Sequence, residues 1–438
     1  MLTSVLSLGE QHVSNFVDAP TKSAQAPLDL VLCNPRNGGC GLLQLRHTVE
    51  AGVLYRNYWY RSGVNETMRR ALADITDKVE QLVPLASGDV VVDIGSNDST
   101  LLRHYRAPGL RRIGFEPAIN LMPYAREESI DIINDFFSAK RFSDIAGTAK
   151  ASVITSIAMF YDLEDPNIFV ADAARCLAQS GVWVIQMSYL PLMLKQNAFD
   201  NICHEHLEYY ALGSLNTLLS RHGLRVIDVE LNDVNGGSFR VYVTHRNAAV
   251  QPFPGAADRM RELEEAEHAW ALLDVETYHA FADRVETIKR RLVEFLKAET
   301  AKGSTVYVYG ASTKGNTLLQ YFNLDTSLIR AAAERNPDKW GKKTVGTLIP
   351  IMSEEDARAA EPAYFLVLPW HFLSEFVKRE RAFLERGGKF IVPLPEFAVL
   401  GREVLDFQQQ PATLQELLRA PAAVSPSGFS RGAGTSPT

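Results

Sequence analysis

Cysteine is scarce in this chain. Four in 438 residues cannot build a disulfide framework, and a reducing, cytoplasmic setting is the expectation. Positive charge is not in excess either: 45 Lys plus Arg stand against 52 Asp plus Glu, a net charge of −7. A protein that holds long nucleic acids neutralises phosphates with a basic surplus, so that class is excluded. No apolar run reaches the ~18 residues that a membrane-crossing helix needs, so no membrane span is expected. Met1–Glu10 has neither the basic start nor the long apolar stretch of a secretory signal. Repeats at the periods of solenoids, roughly 20–50 residues, are also missing. What is present is ordinary globular material, 46% hydrophobic and 22% charged, enough for more than one core. At about 150 residues per domain the length allows roughly three.

The pattern divides the chain. Residues 1–65 are read as loop-rich, with a short apolar run at Leu28–Leu32 and the aromatics Tyr55, Tyr58, Trp59 and Tyr60. Residues 66–250 alternate apolar runs with helical stretches: Val90–Val92, Arg111–Phe115, Ile130–Ile133, Ser152–Ile157 and Val182–Met187. That alternation predicts an α/β unit, a parallel sheet covered by helices. Residues 251–302 are charged and helix-periodic, with apolar positions from Leu263 to Phe295, and predict one or two linking helices. A second alternating region, 303–410, has strand candidates at Thr305–Tyr309, Ile329–Ala333, Tyr364–Leu368 and Lys389–Val392. Residues 411–438 end in Pro, Gly, Ser and Ala with little to bury, a composition that predicts a disordered tail.

Three motifs carry chemistry. The first is Asp93-Ile94-Gly95-Ser96-Asn97-Asp98, which closes a buried strand and opens a helix. A dinucleotide fingerprint wants several glycines against a pyrophosphate, and only Gly95 is here. Glu116, at the end of the next strand, stands where a ribose diol is gripped; Asp135 and Phe136-Phe137 follow a third strand and would border an adenine. Nucleoside recognition without pyrophosphate recognition points to S-adenosylmethionine, with Asp93, Gly95, Asn97, Asp98, Glu116, Asp135 and Phe136 as its site. The second motif, Cys203-His204-Glu205-His206-Leu207-Glu208, packs two histidines and two carboxylates into five residues. The i, i+2 spacing turns the histidines apart on a helix, which disfavours a shared zinc and favours acid–base work. The third is Gly310-Ala311-Ser312-Thr313-Lys314-Gly315-Asn316, a glycine-bounded loop leading from a strand into a helix. Such a loop cradles anions. Lys314 precedes the second glycine instead of following it, so a diphosphate fits better than nucleotide hydrolysis.

Together with Tyr58–Met68, Asn235-Gly236-Gly237-Ser238, Asn336-Pro337-Asp338-Lys339, Leu368-Pro369-Trp370-His371 and Pro393-Leu394-Pro395-Glu396, these motifs resemble the nucleotide-sugar 3-C-methyltransferases over about residues 5–405. The resemblance implies a zinc-binding-like amino-terminal module, a class I methyltransferase domain of Rossmann-like fold and a second Rossmann-like domain, with substrate between the last two. It implies His206 as the proton-abstracting base, with His204 and Glu205 orienting it or polarising the carbonyl. It adds Tyr58 and Tyr60 to Ser312, Thr313, Lys314, Gly315 and Asn316 as substrate-binding candidates. Two departures stand out. Only Cys33 and Cys40, six residues apart in the gap, fall where the module's cysteine pairs belong, two ligands where structural zinc needs four. Cys203 stands where many members carry tyrosine. The expectation is an S-adenosylmethionine-dependent methyltransferase acting on carbon beside a ketone of a nucleotide-linked 4-keto-deoxysugar. The rival readings are an O- or N-methyltransferase and a non-catalytic nucleotide-sugar or S-adenosylmethionine binding protein.

Overall fold

A seven-stranded sheet occupies the middle of the chain in the computed structural model, which describes residues 2–20 and 23–406. The expected tail, 411–438, lies outside the described residues. Strand order across the sheet is Leu224–Asn232, Ser238–His245, Leu177–Ser188, Ala151–Ile157, Val90–Ile94, Arg111–Phe115 and Ile130–Ile133. Ser238–His245 runs antiparallel to both neighbours, whereas the five strands from Leu177–Ser188 onwards are mutually parallel. Val90–Ile94 is buried at all five positions, as a central parallel strand covered on both faces must be. The chain winds away from it in both directions, so a switch point opens at its carboxyl end, where Gly95 begins the turn.

A second, six-stranded sheet repeats that plan. Its order is Ile351–Ser353, Ala332–Glu334, Val306–Tyr309, Tyr364–Val367, Lys389–Val392 and Ala398–Leu400, parallel except for the last strand. Its switch point lies after Val306–Tyr309, at Gly310. Two helices, Ala256–Ala269 and Val275–Ala301, connect the sheets. The longer buries Tyr278, Phe281, Val285, Ile288, Leu292 and Leu296, a three-to-four-residue spacing that lays one apolar stripe along the core.

The amino-terminal region corrects its sequence reading. It is not loop-rich: Leu2–His12 and Gln25–Cys33 pair over their length, and Leu43–Leu45 continues an antiparallel sheet of four strands. The fourth strand, Glu208–Tyr209, comes from the His-Glu-His segment more than 150 residues later. Period-two alternation is hidden in the first strand by register shifts after Ser4 and after Ser7. Gly9, with φ +77°, lies inside the second shift, as a bulge residue in the left-handed region should. No helix among the described residues is long and apolar enough to cross a membrane.

Candidate active site

A cleft of about 1070 Å³ opens between the carboxyl ends of the two parallel sheets. It has one wall from each switch point and a floor from the His-Glu-His segment.

On the first wall, Asp93 ends its strand with the carboxylate accepting a 2.5 Å hydrogen bond from the Thr155 hydroxyl. Burial pushes its pKa up to about 7, and the Glu116 carboxylate adds to the shift. Gly95 has φ +72°, and a Cβ there would come within 3.1 Å of the Met159 side chain, so the turn can be tight only without a side chain. Glu116 is buried, and its two oxygens take the backbone N–H groups of Asn97 and Ala118, each at 2.8 Å. Burial raises its pKa. Ser96 and Ser99, both buried, keep hydroxyl oxygens without a partner. A narrow glycine turn and an anchored carboxylate fit an adenosyl ligand.

The remaining cofactor candidates divide. Asn97 lines the cleft with its backbone, while its side chain accepts from the Ser62 N–H and donates to the Tyr60 carbonyl. Asp98 is a correction. Its carboxylate turns from the cleft to accept the Gly63 N–H at 2.8 Å and the Thr100 hydroxyl at 2.6 Å. An aspartate beside a helix start satisfies local N–H groups before it can reach a ligand. Asp135 sits at the rim, ion-paired with Arg141 at 2.9 Å, and Phe136 lies under the Arg56 guanidinium. Phe137 packs inward on Phe115 and Phe169.

Across the cleft, the second glycine turn copies the first. Gly310 has φ +85°, and its N–H donates to the Ala333 carbonyl at 2.9 Å, as the Gly95 N–H does to Phe115. Glu334 takes the N–H groups of Ala311 and Asn336, the arrangement of Glu116 with Asn97 and Ala118. Ser312 caps the helix Thr313–Tyr321 by accepting the Gly315 N–H. Ser312, Thr313 and Lys314 line the cleft; Gly315 and Asn316 do not. Gly315 is pressed against Leu368, and the buried Asn316 amide donates to Ser14 and Asn15 of the amino-terminal region. These two residues join elements together instead of contacting substrate. Both mark a buried helix face, which a glycine-rich loop motif does not reveal.

The floor brings together groups from three parts of the chain. The Nδ1 of His206 lies 2.8 Å from the Asn201 backbone oxygen. A carbonyl only accepts, so Nδ1 carries the hydrogen and Nε2 keeps its lone pair. Burial, reinforced by the Lys314 ammonium, lowers the His206 pKa to about 3, and the ring is neutral at physiological pH. Tyr161 packs edge-on against it, ring centres 4.4 Å apart. Glu205 is buried in the cleft with Oε2 unpartnered, and burial raises its pKa. His204 corrects its sequence reading: its Nε2 meets the Ala26 carbonyl at 3.0 Å in the amino-terminal sheet, away from the cleft. The His206 N–H donates to the Cys203 carbonyl at 3.0 Å, which closes a tight turn with His204 and Glu205 at its two corners. Side chains at successive corners diverge, so Glu205 and His206 face the cavity and His204 does not. The segment is held on the outside by Leu45, whose N–H donates to the Leu207 carbonyl, and on the inside by the Leu207 N–H on the Tyr161 carbonyl, both at 2.8 Å.

Tyr58 and Tyr60 line the cleft. Tyr55, Asp162, Asp200 and His371 line it as well and were not among the site residues expected from sequence. Asp162 follows the strand Ala151–Ile157, beside the first switch point, and that position was the available signal. Cys33 and Cys40 lie together, with the Cys40 N–H 3.4 Å from the Cys33 sulfur. His12 is engaged by Ser23 and Gln25, and His47 by Asp29. No group of three or more His, Cys, Asp or Glu side chains able to hold a metal occurs among the described residues. This donor set does not fit a four-coordinate zinc.

Known proteins align with this arrangement. Residues 64–229 match a family model described as a methyltransferase domain, and residues 233–395 match one described as a C-methyltransferase C-terminal domain. The C-methyltransferase NovU of Streptomyces niveus is 35% identical over 378 residues, covering 86% of this chain and 88% of that protein. Solved methyltransferases are similar to part of the chain. The amino pentose methyltransferase CalS10 of Micromonospora echinaspora, bound to S-adenosylmethionine, is 14% identical, with 42% of this chain and 98% of that chain covered and a TM-score of 0.31. The plantazolicin methyltransferase BpumL, in complex with S-adenosylhomocysteine, is 12% identical, with 41% and 84% covered and a TM-score of 0.33. With the switch-point geometry, the two family models and the full-length relative in agreement, the chain belongs to the S-adenosylmethionine-dependent C-methyltransferase family.

Proposed function

We propose that this C-methyltransferase acts on the carbon next to a ketone, on a nucleotide-linked 4-keto-deoxysugar, with His206 as the base. A carbon bearing ordinary hydrogens is not a nucleophile, so the α-proton must be removed first. The observation that carries the reading is the His206 hydrogen bond to the Asn201 carbonyl, which leaves Nε2 unprotonated at the floor of the cleft. Geometry and tautomer are those of a general base. Its depressed pKa keeps the ring neutral, and the negative charge growing on the sugar during proton transfer supplies the counter-charge that the imidazolium needs.

Asp93, Gly95, Ser96 and Glu116 would hold S-adenosylmethionine, with Asp135 and Phe136 at the rim of the same wall. Bound there, it supplies a methyl group already activated as a sulfonium. The repeated turn at Gly310 and Glu334 supports a second nucleoside-bearing ligand on the opposite wall. Ser312 and Thr313, with the exposed Arg335 guanidinium nearby in the cleft lining, are assigned to its diphosphate. Tyr58 and Tyr60 would border the sugar.

The test is incubation with S-adenosylmethionine and a panel of nucleotide-linked keto-deoxysugars. A product heavier by one methylene unit, with its new methyl signal on carbon in NMR, is expected. A methyl signal on oxygen or nitrogen, or no S-adenosylhomocysteine release with any keto-sugar, would overturn the assignment.

A further inference from the structure

An enolate formed beside His206 leaves negative charge on the former carbonyl oxygen, and none of the groups assigned so far holds it. We propose that Lys314 is the catalytic residue that binds this oxygen, and that Asn201 is the positioning residue that sets cation and base relative to one another. The inference rests on the proposed enolisation at His206.

Lys314 stands in the first turn of the helix Thr313–Tyr321, in the unit built on the second sheet. Its ammonium crosses the cleft to the Asn201 side-chain oxygen at 2.6 Å. Asn201 belongs to the floor, and its backbone oxygen takes the His206 Nδ1–H at 2.8 Å. One residue therefore anchors the base through its main chain and the cation through its side chain. An ammonium has three N–H groups, and one is engaged here. The others remain for a ligand that lies against His206.

Which part of the substrate that is follows from bond counting. The carbonyl oxygen is two bonds from the carbon that loses its proton, whereas the diphosphate lies beyond the anomeric carbon. A cation tethered to the same residue as the base meets the ketone. This replaces the sequence expectation that Lys314 grips phosphate. Three carboxylates surround the site, and Asp162 Oδ1, Asp200 Oδ1 and Glu205 Oε2 are buried without a partner. Burial raises the pKa of all three, and the Lys314 ammonium opposes that rise.

In the step, the C–H bond breaks and the proton bonds to His206 Nε2. The C–H electron pair becomes the carbon–carbon double bond, and the carbonyl π pair moves onto oxygen. Lys314 donates a hydrogen bond to that oxygen and keeps its own proton. A fixed cation at the floor of a deep cleft stabilises charge as it develops, with little reorganisation. The ground-state ketone gains less from it, so the effect falls on turnover and not on binding.

The test uses the full chain with S-adenosylhomocysteine and a nucleotide-linked 4-keto-deoxysugar in deuterated water, comparing wild type, Lys314→Met and Lys314→Arg. Exchange of the α-proton by wild type stands or falls with the His206 reading. No exchange by wild type with any keto-sugar would overturn that reading and this one with it. With wild type exchanging, Lys314→Met should lose about 10²–10³-fold in both exchange and kcat, as for a lost oxyanion donor. Its sugar KM should stay within about threefold, the signature of an interaction made only in the transition state. Lys314→Arg should recover part of the rate. Unchanged exchange with a raised sugar KM would make Lys314 a diphosphate ligand and overturn the proposal. Loss of S-adenosylhomocysteine binding in both variants would give Lys314 a structural role and overturn it equally.

Discussion

The Nζ of Lys314 lies 2.6 Å from the Oδ1 of Asn201, a contact between residues 113 positions apart that ties the second wall of the cleft to its floor. Through the Asn201 main chain the same contact reaches His206. The proposed reacting centre is therefore assembled by tertiary structure, from a loop of the methyltransferase unit and a helix start of the second unit.

Removing the base should be visible before any methyl moves. His206→Asn keeps polarity and approximate size but cannot accept the α-proton. Exchange in deuterated water and methylation should fall together, by the ~100–10,000-fold typical of general-base loss. Cofactor affinity should hardly change, since the ring lies at the floor of the cleft and not on the Glu116 wall. If exchange persists while methylation stops, His206 acts after proton removal.

Glu116 is expected to act on cofactor binding in two ways. Its carboxylate faces the cleft and also holds the Asn97 and Ala118 N–H groups. Glu116→Ala should weaken S-adenosylmethionine binding by ~1–3 kcal/mol, the range for a lost hydrogen bond to a charged group. Glu116→Gln keeps one carbonyl acceptor and should recover part of it. Calorimetry that finds wild-type affinity in the alanine variant removes Glu116 from the site.

His204 makes the opposite case. Its contact is the part-buried Ala26 carbonyl, so His204→Ala should cost stability, roughly 0.5–1.5 kcal/mol for the lost hydrogen bond. Turnover at a temperature where the variant is folded should stay within a few-fold of wild type. A thousandfold loss of kcat with an unchanged melting temperature would return His204 to the reacting centre.

Glu208 ties the same segment to the amino-terminal sheet, and burial pushes its pKa from 4.5 up to about 9. Between those values the folded chain binds the proton and the unfolded chain does not, so this group's contribution to stability falls as pH rises from about 4.5 to about 9. Glu208→Gln removes that titration. The variant should be more stable than wild type by roughly 2–4 kcal/mol near pH 7, with the difference vanishing below about pH 4.5. Denaturant titrations at acidic, neutral and alkaline pH measure it. An advantage that does not grow with pH would mean the carboxylate is ionised and paired in the folded protein.

How much of this was legible follows the range of the interactions involved. Local patterns marked both parallel sheets, because strands covered on both faces are short apolar runs, as at Val90–Val92 and Lys389–Val392. They marked the linking helices, because Phe281, Val285, Ile288 and Leu292 recur with helical period. They marked Asp93, Gly95 and Glu116 as one site, because a strand end, a tight turn and the next strand end keep fixed spacings wherever a sheet is doubly wound. They also marked the His-Glu-His segment as dense in ionisable groups.

Other features depend on partners far away in the chain. That Asp98 turns to Gly63, that His204 serves Ala26 and that Asn316 serves Ser14 and Asn15 are decided by which donor or acceptor the fold presents there. A buried polar side chain takes whatever partner restores its lost hydration, and residue type does not say whether that partner is a ligand or a backbone group. The first strand escaped notice because its bulges break the two-residue period. Composition and spacing by themselves determined the chain's α/β class, its two glycine turns and its dense ionisable segment. Only the tertiary structure decided that Lys314 meets Asn201 and, through Asn201, is tied to His206, because burial and electrostatics act through space, across 113 residues of sequence that carry no trace of the contact.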